Sequence, residues 1–107
     1  MMEYDIKRGH FKNIESDGLK DMLTEFFGGY QEDGDTLIAN YGAMIEMRVK
    51  VLSKSSLVVE TKTDTNVSDD VAMDTIRKFN KFLESATGLN SKQRRDRLSK
   101  KAKEGKL

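Results

Sequence analysis

The chain has 107 residues with no cysteine and no proline, and its 19 basic and 18 acidic side chains leave a net charge of +1. This length favours one domain with its own core, and the lack of cysteine excludes disulfides, thiolate catalysis and cysteine-based zinc sites. No stretch approaches the roughly 20 apolar residues that cross a bilayer, and no secretory signal is visible. We therefore expect a cytoplasmic protein without membrane contact.

The charges are unevenly distributed along the chain. Residues 91–107 carry eight Lys or Arg against two Asp or Glu, so the other 90 residues hold 11 basic and 16 acidic side chains. A basic tail of net charge +6 thus follows an acidic body of net charge −5. We divide the chain into a compact α+β domain over 1–89 and a basic C-terminal tail over 90–107, which is either helical or disordered.

The first part of the chain predicts a strand and then a helix. Apolar and charged residues alternate over 3–8, which is the pattern of a half-buried strand. Apolar residues then recur at helical spacing over 19–27, which predicts a short amphipathic helix. Ser16 or Asp17 is placed to cap its start, and Gly28 is placed to end it.

Four strands of a meander follow. Asp33-Gly34 is typical of a two-residue type I′ turn between strands predicted at 30–32 and 35–41. A third strand is predicted at 43–52 and a fourth at 57–63. Strict alternation in the third strand predicts one set of residues facing the core, namely Ala43, Ile45, Met47, Val49 and Val51. The opposite set would face outward, namely Met44, Glu46, Arg48 and Lys50.

The last element of the body is a helix between Ser68, a good N-cap, and Gly88, a natural stop. Its apolar stripe is predicted to comprise Ala72, Ile76, Phe79, Leu83 and Ala86. The element order is therefore β-α-β-β-β-β-α. Two amphipathic helices and a one-faced antiparallel sheet predict a two-layer α+β sandwich, with both helices on one face.

The sequence contains no convincing catalytic or metal-binding pattern. His10 is the sole histidine of the chain, so it has no second His or Cys with which to build a first-row metal site. Asp64, Asp69 and Asp70 could hold a hard cation, but turn and helix-start chemistry already accounts for them. We interpret both sets as structural and expect a protein that is not an enzyme and needs no cofactor.

Three functions remain open. The first is weak, sequence-tolerant binding of nucleic acid by phosphate contacts from the tail, through Lys92, Arg94, Arg95, Arg97, Lys100, Lys101 and Lys103. The second is a protein-interaction or homodimerisation module that uses the exposed sheet face. The third is a small-molecule binder or unrecognised enzyme with a site between helices and sheet, although the apolar residues suggest no spare volume there. The tail could also be only a solvated terminus.

Three stretches, "YGAMIEM", "VVETKTD" and "VAMDTIRKFNKFLESATG", resemble a family of small archaeal proteins of unknown function and similar length. The resemblance runs from about Tyr4 to Leu98. It implies an archaeal cytoplasmic origin and brings no catalytic motif, cofactor or binding residue with it. The element order is also similar to one half of the TATA-box-binding protein fold, although the mixed charges of the sheet face differ from an apolar minor-groove surface.

Overall fold

The computed structural model describes residues 2–15 and 17–103, which form a five-stranded sheet and three α-helices. The strands are β1 (Met2–Asp5), β2 (Gln31–Asp33), β3 (Thr36–Tyr41), β4 (Met44–Ser53) and β5 (Ser56–Thr63). The helices are α1 (Gly18–Phe27), α2 (Asp69–Thr87) and α3 (Ser91–Lys103), with a 3-10 turn at Phe11–Asn13. Neighbouring strands are antiparallel in the order β1-β5-β4-β3-β2. The predicted α+β architecture is confirmed, and the tail adds the third helix.

The core lies between one face of the sheet and the helices α1 and α2. The larger apolar side chains with no exposed surface come from both layers, namely Leu23, Met47, Val49, Leu57 and Phe82. The ring of Phe82 lies 6.3 Å from that of Phe26 and 5.3 Å from that of Phe27, measured between centroids. Each fully buried side chain of this size contributes roughly 1.5–3 kcal/mol, so this contact between α1, α2 and the sheet holds the layers together.

The ends of the helices follow the sequence signals closely. The hydroxyl of Ser68 accepts the amide three residues ahead at 3.3 Å, and Gly88 ends α2 in the left-handed conformation at φ 75°. Gly28 ends α1 in the same way at φ 81°. At the start of α1, Asp17 holds the cap position but makes no side-chain cap bond, and Ser16 lies outside the described residues.

The predicted alternation in β4 is wrong at its first residues because the strand contains a β-bulge. Met44 lies opposite Thr63, yet Glu46 lies opposite Lys62, so Ile45 is an extra residue in the ladder. Met44 is therefore buried, with 3% of its surface exposed, while Ile45 is 61% exposed. Beyond the bulge the predicted alternation holds.

The buried face of α2 is rotated from the predicted stripe. Leu83 and Ala86 are buried as expected, but Ile76 is 59% exposed and Phe82 takes the central position. Thr75 is also buried. Its hydroxyl is fully hydrogen-bonded there, since it accepts the amide of Ala43 at 2.9 Å and donates to the carbonyl of Val71 at 2.7 Å. Apolar spacing alone cannot identify a threonine that is satisfied in this way.

The turn between β2 and β3 lies one residue later than predicted. Asp33 pairs with Thr36, so the two central residues are Gly34 and Asp35 rather than Asp33 and Gly34. Gly34 nevertheless has the positive φ that the turn requires, at 60°.

Candidate nucleic-acid interface

The third helix is held against the body by two of its arginines. Arg94 donates to the carbonyl oxygen of Leu89 at 2.5 Å and to Oδ1 of Asn80 on α2 at 3.2 Å. Arg97 reaches β1, where its Nη1 lies 3.5 Å from Oδ2 of Asp5. The first half of α3 is therefore linked to β1, the edge strand of the sheet, through this ion pair.

The start of α3 is fixed by a reciprocal cap. The side-chain oxygen of Asn90 accepts the amide of Gln93 at 2.9 Å, and the side-chain oxygen of Gln93 accepts the amide of Asn90 at the same distance. This is the capping-box arrangement, in which each of two residues uses its side-chain oxygen to accept the backbone amide of the other. Two amides at the helix start that would otherwise lack a partner are thereby hydrogen-bonded. Helix α3 therefore begins at Ser91, directly after its capping residue Asn90.

Arg94 is a partly buried cation. Burial lowers the pKa of Arg94 from its usual value, while the nearby Tyr4 and Glu84 oppose that shift. Burial likewise raises the pKa of Tyr4, and the charge of Arg94 counteracts it. A guanidinium that is desolvated and bonded to the body has few donors left for a phosphate, so the role of Arg94 is structural.

The predicted phosphate-binding residues fall into separate groups. Arg94 and Arg97 are engaged with the body, as described above. Lys92, Arg95 and Lys100 are exposed, and none of them forms an ion pair within the described part of the chain. The backbone of α3 also includes two further predicted residues whose side chains lie outside that part, namely Lys101 and Lys103.

The outer face of the sheet carries paired charges. Arg48 lies 2.5 Å from a carboxylate oxygen of Glu46 and 3.6 Å from one of Asp33. Lys62 lies 3.7 Å from Glu46 across the β4–β5 pair, so these two side chains form a cross-strand ion pair. The hydrogen bond to Glu46 raises the pKa of Arg48. Arg48 and Lys62 already have carboxylate partners, so the exposed cation of β4 on this face without an ion pair in the described residues is Lys50.

His10 links the 3-10 turn to α2. Its Nε2 donates to the carbonyl oxygen of Ser85 at 2.6 Å, and its Nδ1 accepts from the side-chain amide of Asn13 at 3.1 Å. The ring also lies against Gly88, where an added Cβ would come within 2.8 Å of it. Both ring nitrogens have local partners, which agrees with the structural role expected for this histidine.

The acidic residues before and within α2 have local structural roles. Asp64 accepts the amide of Asn66 at 2.8 Å, and Asp69 and Asp70 occupy the first turn of α2. Across residues 2–15 and 17–103, no group of three His, Asp or Glu side chains is arranged to hold a metal ion. In the same residues no helix has the length and apolar character to cross a membrane.

An open cavity of about 410 Å³ lies between the 3-10 turn, α1 and the inner face of the sheet. Phe11, Leu19 and Leu37 contribute apolar walls, and the Lys20–Glu32 ion pair of 2.6 Å lies at its side. The expectation of no spare volume between helices and sheet is therefore wrong here.

These features define a small α+β protein in which an antiparallel sheet carries two packed helices and a third, basic helix. The chain belongs to the family described as "Domain of unknown function (DUF5611)", which matches residues 1–100. Its structure is similar to the NMR solution structure of hypothetical protein TA0095 from Thermoplasma acidophilum, with a TM-score of 0.65 and 25% identity. That match covers 92% of this chain and 97% of the other.

The predicted resemblance to a family of unknown function with archaeal members is thereby confirmed. No curated protein matches the chain.

Proposed function

We propose that the protein is a non-enzymatic cytoplasmic module that binds nucleic acid weakly, through phosphate contacts from the outer side of α3. The observation that supports this proposal is a set of three exposed cations on α3, Lys92, Arg95 and Lys100, none of which forms an ion pair within the described residues. Arg94 and Arg97 hold the helix in place, so binding need not order it first. Phosphate contacts position a protein without reading sequence, and we expect little base specificity.

Because Arg94 and Arg97 are engaged with the body and only part of the cations of α3 can reach phosphates, we expect the binding constant to depend only weakly on salt concentration. If three of them contact phosphates, log K should fall with log[salt] at a slope of roughly −2 to −3, at about −0.7 to −0.9 per contact. All seven predicted residues together would give a slope of roughly −5 to −6. Fluorescence anisotropy of labelled single- and double-stranded oligonucleotides at several low salt concentrations measures this slope on the full chain.

Charge reversal provides the matched control for that measurement. The triple variant Lys92→Glu, Arg95→Glu and Lys100→Glu should keep its unfolding midpoint and lose the binding. A second triple variant with nearly the same change in charge reverses exposed body residues instead, namely Lys12, Lys50 and Lys54. It should retain most of the binding. Equal losses from both variants would contradict an interface on α3, and no binding by the parent chain would contradict the proposal as a whole.

The runner-up function is protein interaction or homodimerisation through the outer sheet face. It is favoured by exposed apolar side chains there: Leu52 is 51% exposed and lines a shallow cavity of about 260 Å³ together with Val58. Sedimentation at increasing concentration should then show a rising mass, and Leu52→Lys should return the monomer. A monomer mass throughout would exclude this homodimer.

We also propose that the fold is similar to one half of the TATA-box-binding protein, and we extend this similarity to the fold only. The β-α-β-β-β-β-α order followed by α3 supports it. The paired charges on the outer sheet face are unlike an apolar minor-groove surface. We therefore assign nucleic-acid contact to α3 rather than to the sheet.

A further inference from the structure

Strand β5 extends beyond its neighbour β1. The pairing of these two strands covers Ser56–Val59, and its last pair is Met2 opposite Val59. The last residues of β5, Thr61–Thr63, pair with β4 on one side, and no described strand pairs with them on the other side. We call this stretch the β5 overhang. Such an unpaired edge is a template for the addition of another strand.

Hydrogen bonds at the two ends of β5 establish which backbone groups point to the open side. The amide of Asp64 donates toward the β4 side at 2.7 Å, and the carbonyl of Ser55 accepts from the β1 side at 2.8 Å. The backbone groups of successive residues in a strand point to alternate neighbours. Those of Thr61 and Thr63 therefore point to the open side, where no described strand pairs with them.

An apolar cavity of about 130 Å³ lies next to the overhang, between the sheet and the first half of α2. Met44 and Thr61 line it from the sheet, and Ile76 and Phe79 line it from α2. Of these lining side chains, Ile76 is 59% exposed. These apolar side chains lie beside unpaired backbone donors and acceptors, which is the combination that strand addition uses.

We propose that the β5 overhang and this cavity form a docking site for an extended peptide segment of a partner protein, which pairs with β5 as an additional antiparallel strand. Peptide residues opposite Thr61 and Thr63 would lie on the helix-facing side of the sheet. Two apolar side chains at alternate positions would then enter the cavity and cover Ile76. The residues between them would lie on the outer face.

The charges beside the overhang select basic residues for those outer positions. Glu60 precedes the overhang on the outer face, opposite Arg48 of β4, and Asp64 follows the overhang and accepts the amide of Asn66. Neither carboxylate forms a salt bridge within the described residues. Lys62 is already paired with Glu46. The preferred peptide therefore alternates apolar and basic side chains. This site is separate from the outer side of α3 and does not rest on nucleic-acid binding.

Proline substitution tests the geometry of the edge. Proline is tolerated in a strand where the lost amide points away from the ladder. Thr61→Pro should therefore fold with a thermal midpoint near that of the parent chain. Lys62→Pro removes an amide that points to β4, and its midpoint should fall by about 10 °C or more. Equal losses in the two variants would overturn the assignment of the open side.

A model peptide tests the docking site itself. The probe is acetyl-Lys-Val-Lys-Val-Lys-Val-amide, added to ¹⁵N-labelled full chain, with an N-methylated version that cannot pair as the control. We expect shifts at the amides of Thr61 and Thr63 and at Ile76, saturating at millimolar peptide, with at least a tenfold loss in Thr61→Pro.

Three outcomes would overturn the proposal: no shifts at these residues, equal binding of the N-methylated probe, or unchanged binding by Thr61→Pro. A self-association of the protein that Thr61→Pro abolishes would assign the edge to a second copy of this chain and would likewise overturn the peptide assignment.

Discussion

Phe82→Ala should lower the free energy of unfolding by about 3–5 kcal/mol, because it removes a ring with no exposed surface and leaves a cavity that the layers cannot close. The ring contacts Phe26 and Phe27 of α1, so the loss also weakens the contact between the two helices. Urea unfolding followed by circular dichroism measures the change. The sequence alone would place this effect at Phe79, which is only partly buried.

Two positions on the same helix provide controls for Phe82→Ala. Phe79→Ala should cost less than Phe82→Ala, because part of the ring is already in contact with water. Ile76→Ala should change the free energy of unfolding by about 0.5 kcal/mol or less, since that side chain is 59% exposed. A loss at Ile76 equal to that at Phe82 would show that the buried face of α2 is wrongly assigned.

The order and type of the main elements could be predicted because each has a strong local signal. Ser68 and Gly88 mark both ends of α2, and their caps form as the residue types require. Strand β5 alternates over its first half, with Leu57 and Val59 buried and Ser56 and Val58 partly exposed. Antiparallel pairing then follows from short connections between strands.

The local departures from the prediction arise from contacts between distant parts of the chain. The bulge at Ile45 depends on how β4 pairs with β3 and β5 together, and no residue type in β4 marks it. The burial of Thr75 depends on the amide of Ala43, 32 residues earlier. A prediction from hydrophobic periodicity places threonine on the exposed face of a helix and isoleucine on the buried face. In α2 the reverse holds, since Thr75 is buried and Ile76 is exposed.

The candidate interface shows the same limit. The sequence identifies a cluster of cations, but nothing in it distinguishes Arg97 from Arg95. Arg97 is engaged because Asp5, 92 residues away in sequence, lies beside it in the fold. Asn90 and Gln93 do carry a local signal, since their spacing is that of a capping box. That signal favours the helical alternative for the tail over the disordered one.

Gly42 connects β3 to β4 at a point where the hairpin touches α2. Its φ is 53°, in the left-handed region, and a Cβ at this position would lie 2.3 Å from Oγ1 of Thr75. That oxygen already accepts the amide of Ala43 at 2.9 Å and donates to the carbonyl of Val71 at 2.7 Å. An added methyl group must therefore break these bonds or push α2 away from the hairpin.

Gly42→Ala should consequently lower the free energy of unfolding by about 2–5 kcal/mol, of which about 1–2 comes from the left-handed backbone and the rest from overpacking against Thr75. Gly34→Ala is the matched control, because Gly34 also has a positive φ, 60°, but a Cβ there would have nothing within 4 Å. It should lose only about 1–2 kcal/mol. Urea unfolding of both variants separates the two contributions. If the two losses are equal, backbone handedness accounts for the whole effect, and the close approach of the β3–β4 hairpin to α2 is wrong.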